Sequence, residues 1–177
     1  MNSFPFFGVP SAEAFYEQTR ASAPDPATGK PDPERMRAFV ARYPSAQRFA
    51  AWAKTAPWSD SFASTQYYGI HAFRFVDAGG GEHVVRWVMR PQAPFAEMGA
   101  AQREAAEGDY LQDELRGRLA RGPVRWDMVA TLAAAGDDAR DPSTPWPEDR
   151  EQVVVGTVVL TGAQDQATGA CHDLNFD

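Results

Sequence analysis

Hydrophobic positions spaced three or four residues apart predict three helices at the beginning of the chain. Ser11 stands where a helix N-cap is expected, and a helix from about Ser11 to Arg20 follows it. Asp32, with proline at the next position and an acid after it, predicts the start of a second helix. Ser45 is expected to cap a third helix, which ends before Pro57.

Alternating apolar and polar residues then predict a β-hairpin. Strands over 67–76 and 82–90 are separated by three glycines at 79–81. In the first of these strands His71 and Phe73 share one face. The glycines do not form a phosphate loop, because a strand follows them and no Gly-Lys-Ser/Thr is present.

The second half of the chain contains a further predicted helix and two more strands. A charged helical pattern extends from about 100 to 121 and ends at Gly122. Alternation returns over 125–132, and residues 152–160 are apolar on both faces, which predicts a well-buried strand. Helices in this order with neighbouring antiparallel strands indicate an α+β fold.

Length and composition are those of one domain with a sizeable core. The chain has 177 residues, of which 44% are hydrophobic. Its formal net charge of −7 argues against nucleic-acid and membrane-surface partners, which require a basic face. No apolar run approaches the roughly 20 residues of a transmembrane helix. The first residues also lack the basic and apolar regions of a signal peptide.

The side chains that could carry chemistry form no recognised metal or nucleophile motif. The histidines, His71, His83 and His172, lack zinc-ligand spacing, and the single Cys171 allows no disulfide within the chain. No Gly-x-Ser-x-Gly elbow is present. His71, in an aromatic strand, is the one histidine that the residues single out. It is either a strand histidine bonded to a neighbouring backbone group or a part of a site.

Several segments occur in the same order as in a known protein family. They are residues 2–7 with Ala14 and Phe15, residues 67–75, residues 122–126, residues 141–150 with 155–161, and residues 175–177. The most specific stretch runs from Asp-Pro-Ser-Thr-Pro-Trp-Pro-Glu-Asp-Arg to Val-Gly-Thr-Val-Val-Leu-Thr. Together these segments resemble the catalase-related peroxidases, the smaller bacterial members of the catalase superfamily, over essentially the whole chain.

The resemblance implies a fold, a cofactor and four site residues. The fold is an antiparallel β-barrel of catalase type, of which this chain supplies about four strands of the second half with flanking helices. The cofactor is heme b, with Phe6 and Phe15 matching aromatic residues on its distal face. His71 matches a histidine that hydrogen-bonds the arginine beside the tyrosine ligand of the iron. Asn2, or equally well Met1, matches the catalytic asparagine that orients the peroxide.

Two residues of the family pattern have no counterpart in this sequence. The distal histidine is expected upstream of Met1, and the Arg-x-x-x-Tyr motif of the iron ligand is expected after Asp177. No tyrosine of the chain has an arginine four residues before it. We therefore expect residues 1–177 to be a fragment of a larger heme-binding domain and to be inactive alone.

The implied function is heme-dependent reduction of hydrogen peroxide or organic peroxides. The expected partners are the peroxide and a small-molecule reductant, without nucleic acid or membrane, and a homo-oligomer is an open alternative to a monomer. Two other functions fit the same fold: a non-catalytic barrel for apolar ligands, and a heme isomerase of fatty-acid hydroperoxides.

Overall fold

The computed structural model describes residues 1–165, 168 and 169, and this part contains five α-helices and four β-strands. They are α1 (Ala12–Ser22), α2 (Pro33–Arg42), α3 (Pro44–Thr55), β1 (Tyr67–Val76), β2 (Glu82–Pro91), α4 (Ala100–Ala105), α5 (Tyr110–Arg121), β3 (Val124–Leu132) and β4 (Gln152–Leu160). A short 3-10 helix, Phe62–Ser64, precedes β1. The predicted α+β class is confirmed.

The four strands form one antiparallel sheet in the order β1-β2-β3-β4. Each strand pairs with the next one along the chain, as when Val88 of β2 lies between Tyr68 of β1 and Val129 of β3. A short turn over residues 77–81 joins β1 to β2, whereas the connections before β3 and β4 are longer. Strands that follow one another in the chain are nevertheless commonly neighbours in a sheet. At the β1 side, Asn2 forms an isolated antiparallel bridge with Tyr68, which places the N-terminal segment beside the sheet.

The first two helix starts agree with the sequence, and the third helix begins two residues earlier than expected. The Ser11 hydroxyl accepts from the Ala14 amide at 3.2 Å, and the Asp32 carboxylate accepts from the Glu34 amide at 2.8 Å. Helix α3 begins at Pro44, not after Ser45. Proline is suited to the first helical position, because its fixed φ matches the helix and its missing N–H would be unbonded there.

The prediction of one continuous helix over 100–121 is wrong. Helix α4 ends at Ala105, and α5 starts at Tyr110 after a break that contains Gly108. The Tyr110 hydroxyl donates to the Asp60 carbonyl, which fixes the start of α5 against the segment before β1. Among the described residues no helix is long and apolar enough to cross a membrane.

The prediction that β4 is well buried is also wrong. Five valines of this strand are at least two-fifths exposed, and Val154 reaches 59%. The side chains of an apolar strand are buried only where other elements cover both faces of the sheet. In the described residues β4 pairs with β3 along one side, and its valines remain largely uncovered. The valine side chains of β4 are therefore exposed on a strand at the edge of the sheet.

Two hydrophobic clusters hold the described part together. One joins the N-terminal segment to α1, α2 and α3 through Val9, Ala14, Ala21, Phe39 and Ala46. The other packs α5 and the 3-10 helix on one face of the sheet through Ala63, Val124 and Trp126. The helical cluster and the sheet meet near the strand that carries His71.

Candidate functional site

His71 lies in an irregular part of β1. The pairing with β2 passes from Gly69–Trp87 to Phe73–Val85, so three residues centred on His71 stand opposite Arg86 alone. Such bulges redirect side chains and occur often beside functional sites. His71 is exposed as a result, and its imidazole points away from the regular ladder into the groove described below.

The N-terminal segment supplies the opposite wall. The Asn2 amide donates to the Tyr68 carbonyl at 3.1 Å, and the Tyr68 amide donates to the Asn2 carbonyl at 2.8 Å. Beyond this anchor, the Phe7 amide donates to the Pro142 carbonyl at 2.9 Å. The Phe7 ring lies 5.9 Å from the Phe15 ring, centroid to centroid. The two rings form a continuous apolar surface.

Between these walls lies a groove of about 360 Å³. It is lined mainly by apolar side chains, with one imidazole on the sheet side. The lining residues are Phe7, Val9, Pro10, Ser11, Ala12, Phe15, His71 and Pro142. A predominantly apolar pocket with few polar groups is typical of a site for a flat organic ligand.

A tight turn over residues 141–144 forms the floor of this groove through Pro142. The Asp141 carboxylate accepts from the Ser143 amide at 2.8 Å, from the Ser143 hydroxyl at 2.6 Å and from the Thr144 hydroxyl at 2.7 Å. Burial raises the pKa of Asp141, but these bonds and the Arg86 charge outweigh it, so the pKa lies below its ordinary value.

Arg86 of β2 reaches this turn from the sheet. Its guanidinium donates to the Thr144 carbonyl at 2.7 Å and to the Asp141 carbonyl at 2.9 Å. The guanidinium also lies over the Trp146 ring, 4.6 Å from its centroid. Burial lowers the pKa of Arg86, and the carboxylates of Asp141, Asp138 and Asp137 oppose that effect.

The structure brings together two of the four residues that the resemblance implied, His71 and Phe15. Phe15 is 51% exposed and lines the groove, as does His71. Phe6 is 7% exposed and packs against Phe49 and Trp52, so it lies in the core and not in the groove lining. Asn2 is held at the edge of β1 by its backbone and does not line the groove.

Sequence reasoning missed Phe7 and Pro142 as groove residues. Phe7 follows Phe6 directly, but the Phe6 ring packs against Phe49 and Trp52 in the core, so of these two rings only that of Phe7 lines the groove. The specific segment over 141–150 contains Pro142, but its approach to Phe7 joins residues far apart in the chain.

The remaining histidine and cysteine candidates do not add to the groove. His83 bonds the Asp77 carboxylate at 2.9 Å in the hairpin turn, while Cys171 and His172 lie outside the described residues. No cluster of three or more histidine, cysteine, aspartate or glutamate residues suited to a metal ion occurs in the described part of the chain.

A heme, which the resemblance implies, fits the groove by the chemistry of its lining. The porphyrin ring is flat and apolar, and Phe7, Phe15 and Pro142 offer it apolar contact, whereas the two charged propionates of a heme would extend beyond this lining, which contains no lysine or arginine. His71 adds one polar group at the side of the groove. No tyrosine lines the groove.

Comparison with known proteins gives a family match and two similar relatives. The Catalase family model matches residues 1–165. A catalase-related peroxidase of Synechococcus elongatus is 42% identical over 98% of this chain and 51% of its own length. A catalase-related peroxidase of Mycolicibacterium paratuberculosis is 40% identical over 66% of this chain and 37% of its own length.

Solved structures share the fold at lower sequence identity. A bacterial catalase structure superposes with a TM-score of 0.73 at 17% identity, covering 90% of this chain and 34% of its own. A fungal catalase superposes with a TM-score of 0.76 at 15% identity, covering 93% of this chain and 36% of its own.

The relatives and solved structures are all longer than this chain. The chain spans about half the length, or less, of the curated relatives that it matches. A family-model match over 165 residues, together with 42% identity to a relative over nearly the whole chain, identifies the family. The chain belongs to the catalase family.

Proposed function

We propose that this chain forms one wall of the heme site of a peroxidase that reduces hydrogen peroxide or organic peroxides. The observation that carries the proposal is the groove in which Phe7, Phe15, His71 and Pro142 meet. The names of two relatives that are at least 40% identical, both catalase-related peroxidases, support the same activity. The partners would be the peroxide and a small-molecule reductant.

The aromatic wall would hold the porphyrin and exclude water from one of its faces. Phe15 is exposed although it is a large apolar residue, and covering it with a flat ligand removes apolar area from water. Phe7 is kept in place by its bond to Pro142 and its contact with Phe15. The ordering of these rings before binding limits the entropy lost when the ligand enters.

The heme b would supply the iron at which the peroxide O–O bond is broken. His71 would act beside it as a hydrogen-bonding group that positions a neighbouring polar side chain. Asn2 lies outside the groove lining, so no part in orienting the peroxide is proposed for it. The described residues hold no feature that favours a heme isomerase of fatty-acid hydroperoxides or a non-catalytic barrel for apolar ligands over the peroxidase.

Porphyrin binding by the purified chain tests the groove directly. Metal-free protoporphyrin IX is the probe, because it reports ring contact without iron ligation. Phe15→Ala should weaken binding about 10-fold, the equivalent of losing roughly 1.4 kcal/mol of apolar contact. Phe95→Ala is the matched control, since both phenylalanines are 51% exposed and Phe95 does not line the groove. Equal effects of the two substitutions would contradict the proposal.

Activity is tested in a chimera with the Synechococcus elongatus relative. This chain replaces the matching 173 residues, and the chimera should reduce hydrogen peroxide. His71→Ala in that chimera should lower heme affinity or turnover about 10–100-fold, whereas His83→Ala, in the hairpin turn, should change neither. If the His71→Ala chimera retains full heme affinity and turnover, His71 is a strand residue without a part in the site.

A further inference from the structure

Four consecutive carbonyl groups of the turn over 141–144 are bound by three other parts of the molecule. The Asp141 and Thr144 carbonyls accept from Arg86 at 2.9 and 2.7 Å. The Pro142 carbonyl accepts from the Phe7 amide at 2.9 Å. The Ser143 carbonyl accepts from Arg48 at 2.8 Å. The sheet, the N-terminal segment and α3 therefore meet at one turn.

The shape of this turn does not depend on those external bonds. The Asp141 carboxylate binds Ser143 and Thr144 within the turn, and the Thr144 amide donates to the Asp141 carbonyl at 3.3 Å. These local bonds define an Asx-type turn without help from other elements. The external bonds therefore determine where the turn lies relative to the sheet.

Arg86 is the residue that joins this turn to the His71 side of the groove. It stands opposite the irregular part of β1 that carries His71, and its side chain spans two carbonyls of the turn. A planar guanidinium can bind two acceptors at fixed separation, which a lysine ammonium cannot do with the same geometry. Stacking on Trp146 restricts the guanidinium further.

The environment of Arg86 is unusual for a residue that serves stability alone. Its Nε is buried and has no hydrogen-bond partner among the residues that the structure describes, and a buried donor without a partner destabilises the fold. The side chain nevertheless remains extended across the loop, with its terminal nitrogens bonded to carbonyls and not to carboxylates.

We propose that Arg86 is a positioning residue that sets the separation of the two groove walls. It fixes the turn over 141–144 to β2, and the turn in turn fixes Phe7 through the Pro142 carbonyl. The distance between the His71 wall and the Phe7–Phe15 wall thereby depends on Arg86, in addition to the Asn2–Tyr68 bridge and the Arg48 bond to the Ser143 carbonyl. This inference rests on the proposed function for the ligand, a porphyrin, although the coupling of Arg86 to Phe7 is independent of it.

Two substitutions of Arg86 and one control test the proposal in the purified chain. Arg86→Met removes the donors while keeping an apolar chain, and Arg86→Lys keeps the charge without the two-acceptor geometry. Arg90→Met is the matched control, because Arg90 lies four residues along the same strand and bonds the Gln152 side chain at 2.8 Å.

The first readout is amide hydrogen exchange. Arg86→Met should speed exchange of the Phe7 amide at least 10-fold, while the Val129 amide in the middle of the sheet stays protected. Arg86→Lys should give a smaller increase, and Arg90→Met should leave Phe7 unchanged. Equal loss of protection at Phe7 and Val129, or none at Phe7, would overturn the proposal, since Arg86 would then support the whole fold or have no part in positioning Phe7.

The second readout is affinity for protoporphyrin IX. Arg86→Met should weaken binding about 10-fold, with partial rescue in Arg86→Lys and wild-type affinity in Arg90→Met. Faster exchange at Phe7 with unchanged affinity would show that the wall separation does not control binding and would contradict the proposal. If the wild-type chain binds no porphyrin, the proposed function fails, and the exchange at Phe7 alone decides whether Arg86 positions the wall.

Discussion

Gly69 of β1 is required by the ring that lies across it. A Cβ at this position would lie 2.4 Å from Cε2 of Trp87, and two more ring atoms would lie within 3 Å. Trp87 pairs directly with Gly69 in the sheet, so the ring cannot move without disturbing the strand next to His71. Glycine is therefore required here by packing and not by backbone conformation, because Gly69 does not have a positive φ.

Gly69→Ala should lower the free energy of unfolding by about 1–3 kcal/mol, the usual cost of overpacking. Urea denaturation measures this change in the free energy of unfolding. Gly156→Ala is the control, because Gly156 is also a strand glycine but has open space where its Cβ would be. The idea fails if both substitutions have the same small effect.

Asp141 should make stability depend on acid pH. Its folded pKa lies below the ordinary value because its hydrogen bonds and the Arg86 charge outweigh burial. A carboxylate with a lowered folded pKa stabilises the fold above its unfolded pKa of about 3.9, and this contribution is lost as pH falls through the folded pKa.

Asp141→Asn should therefore be less stable than the wild type near neutral pH, and the difference should shrink as pH falls below about 4. Urea unfolding over this pH range gives the measurement. Asp113→Asn, an exposed substitution on α5, controls for the change in net charge. A difference between wild type and Asp141→Asn that is independent of pH would contradict this interpretation.

At the residue scale, the sequence predicted part of the groove. His71 and Phe15 were identified through the resemblance, and both line the groove. Phe7 and Pro142 were missed because the groove is made by contacts between distant segments. The bond from Phe7 to Pro142 and the bonds of Arg86 to the turn leave no periodic signal in the chain.

At the element scale, local signals predicted the starts of α1 and α2 and the hairpin. Cap residues and glycine turns act over a few residues, so they can be recognised without the fold. The break between α4 and α5 depends on Tyr110 reaching Asp60, a contact across some fifty residues. The exposure of β4 likewise depends on what lies beside it, not on its own residues.

The exposed valines of β4 predict self-association of the chain. An apolar edge strand with free backbone groups is a template for pairing with another chain. Val154→Lys should shift the chain toward monomer in size-exclusion chromatography, because lysine on an edge opposes pairing. Phe95→Lys, at an exposed loop position, should not. A wild-type chain that is already monomeric would show that β4 does not drive association.

At the scale of the whole molecule, the fold class and the family were predictable, and the site was only partly so. Specific segments such as residues 141–161 identify a family because many positions match in order. Such a match does not require that the role of each residue be known. The helical cluster and the sheet then meet at the groove, where the turn over 141–144 joins them. That junction explains why a wall built from the N-terminal segment faces a histidine of β1.

The central claim is that the groove between these two walls binds a porphyrin. Amide ¹H–¹⁵N spectra of the purified chain, titrated with protoporphyrin IX, test it most directly. Shifts should concentrate at Phe7, Val9, Phe15, His71 and Ser143. Shifts concentrated instead around Trp58, Arg103 and Tyr110, which line a second groove beside α4 and α5, would contradict the account.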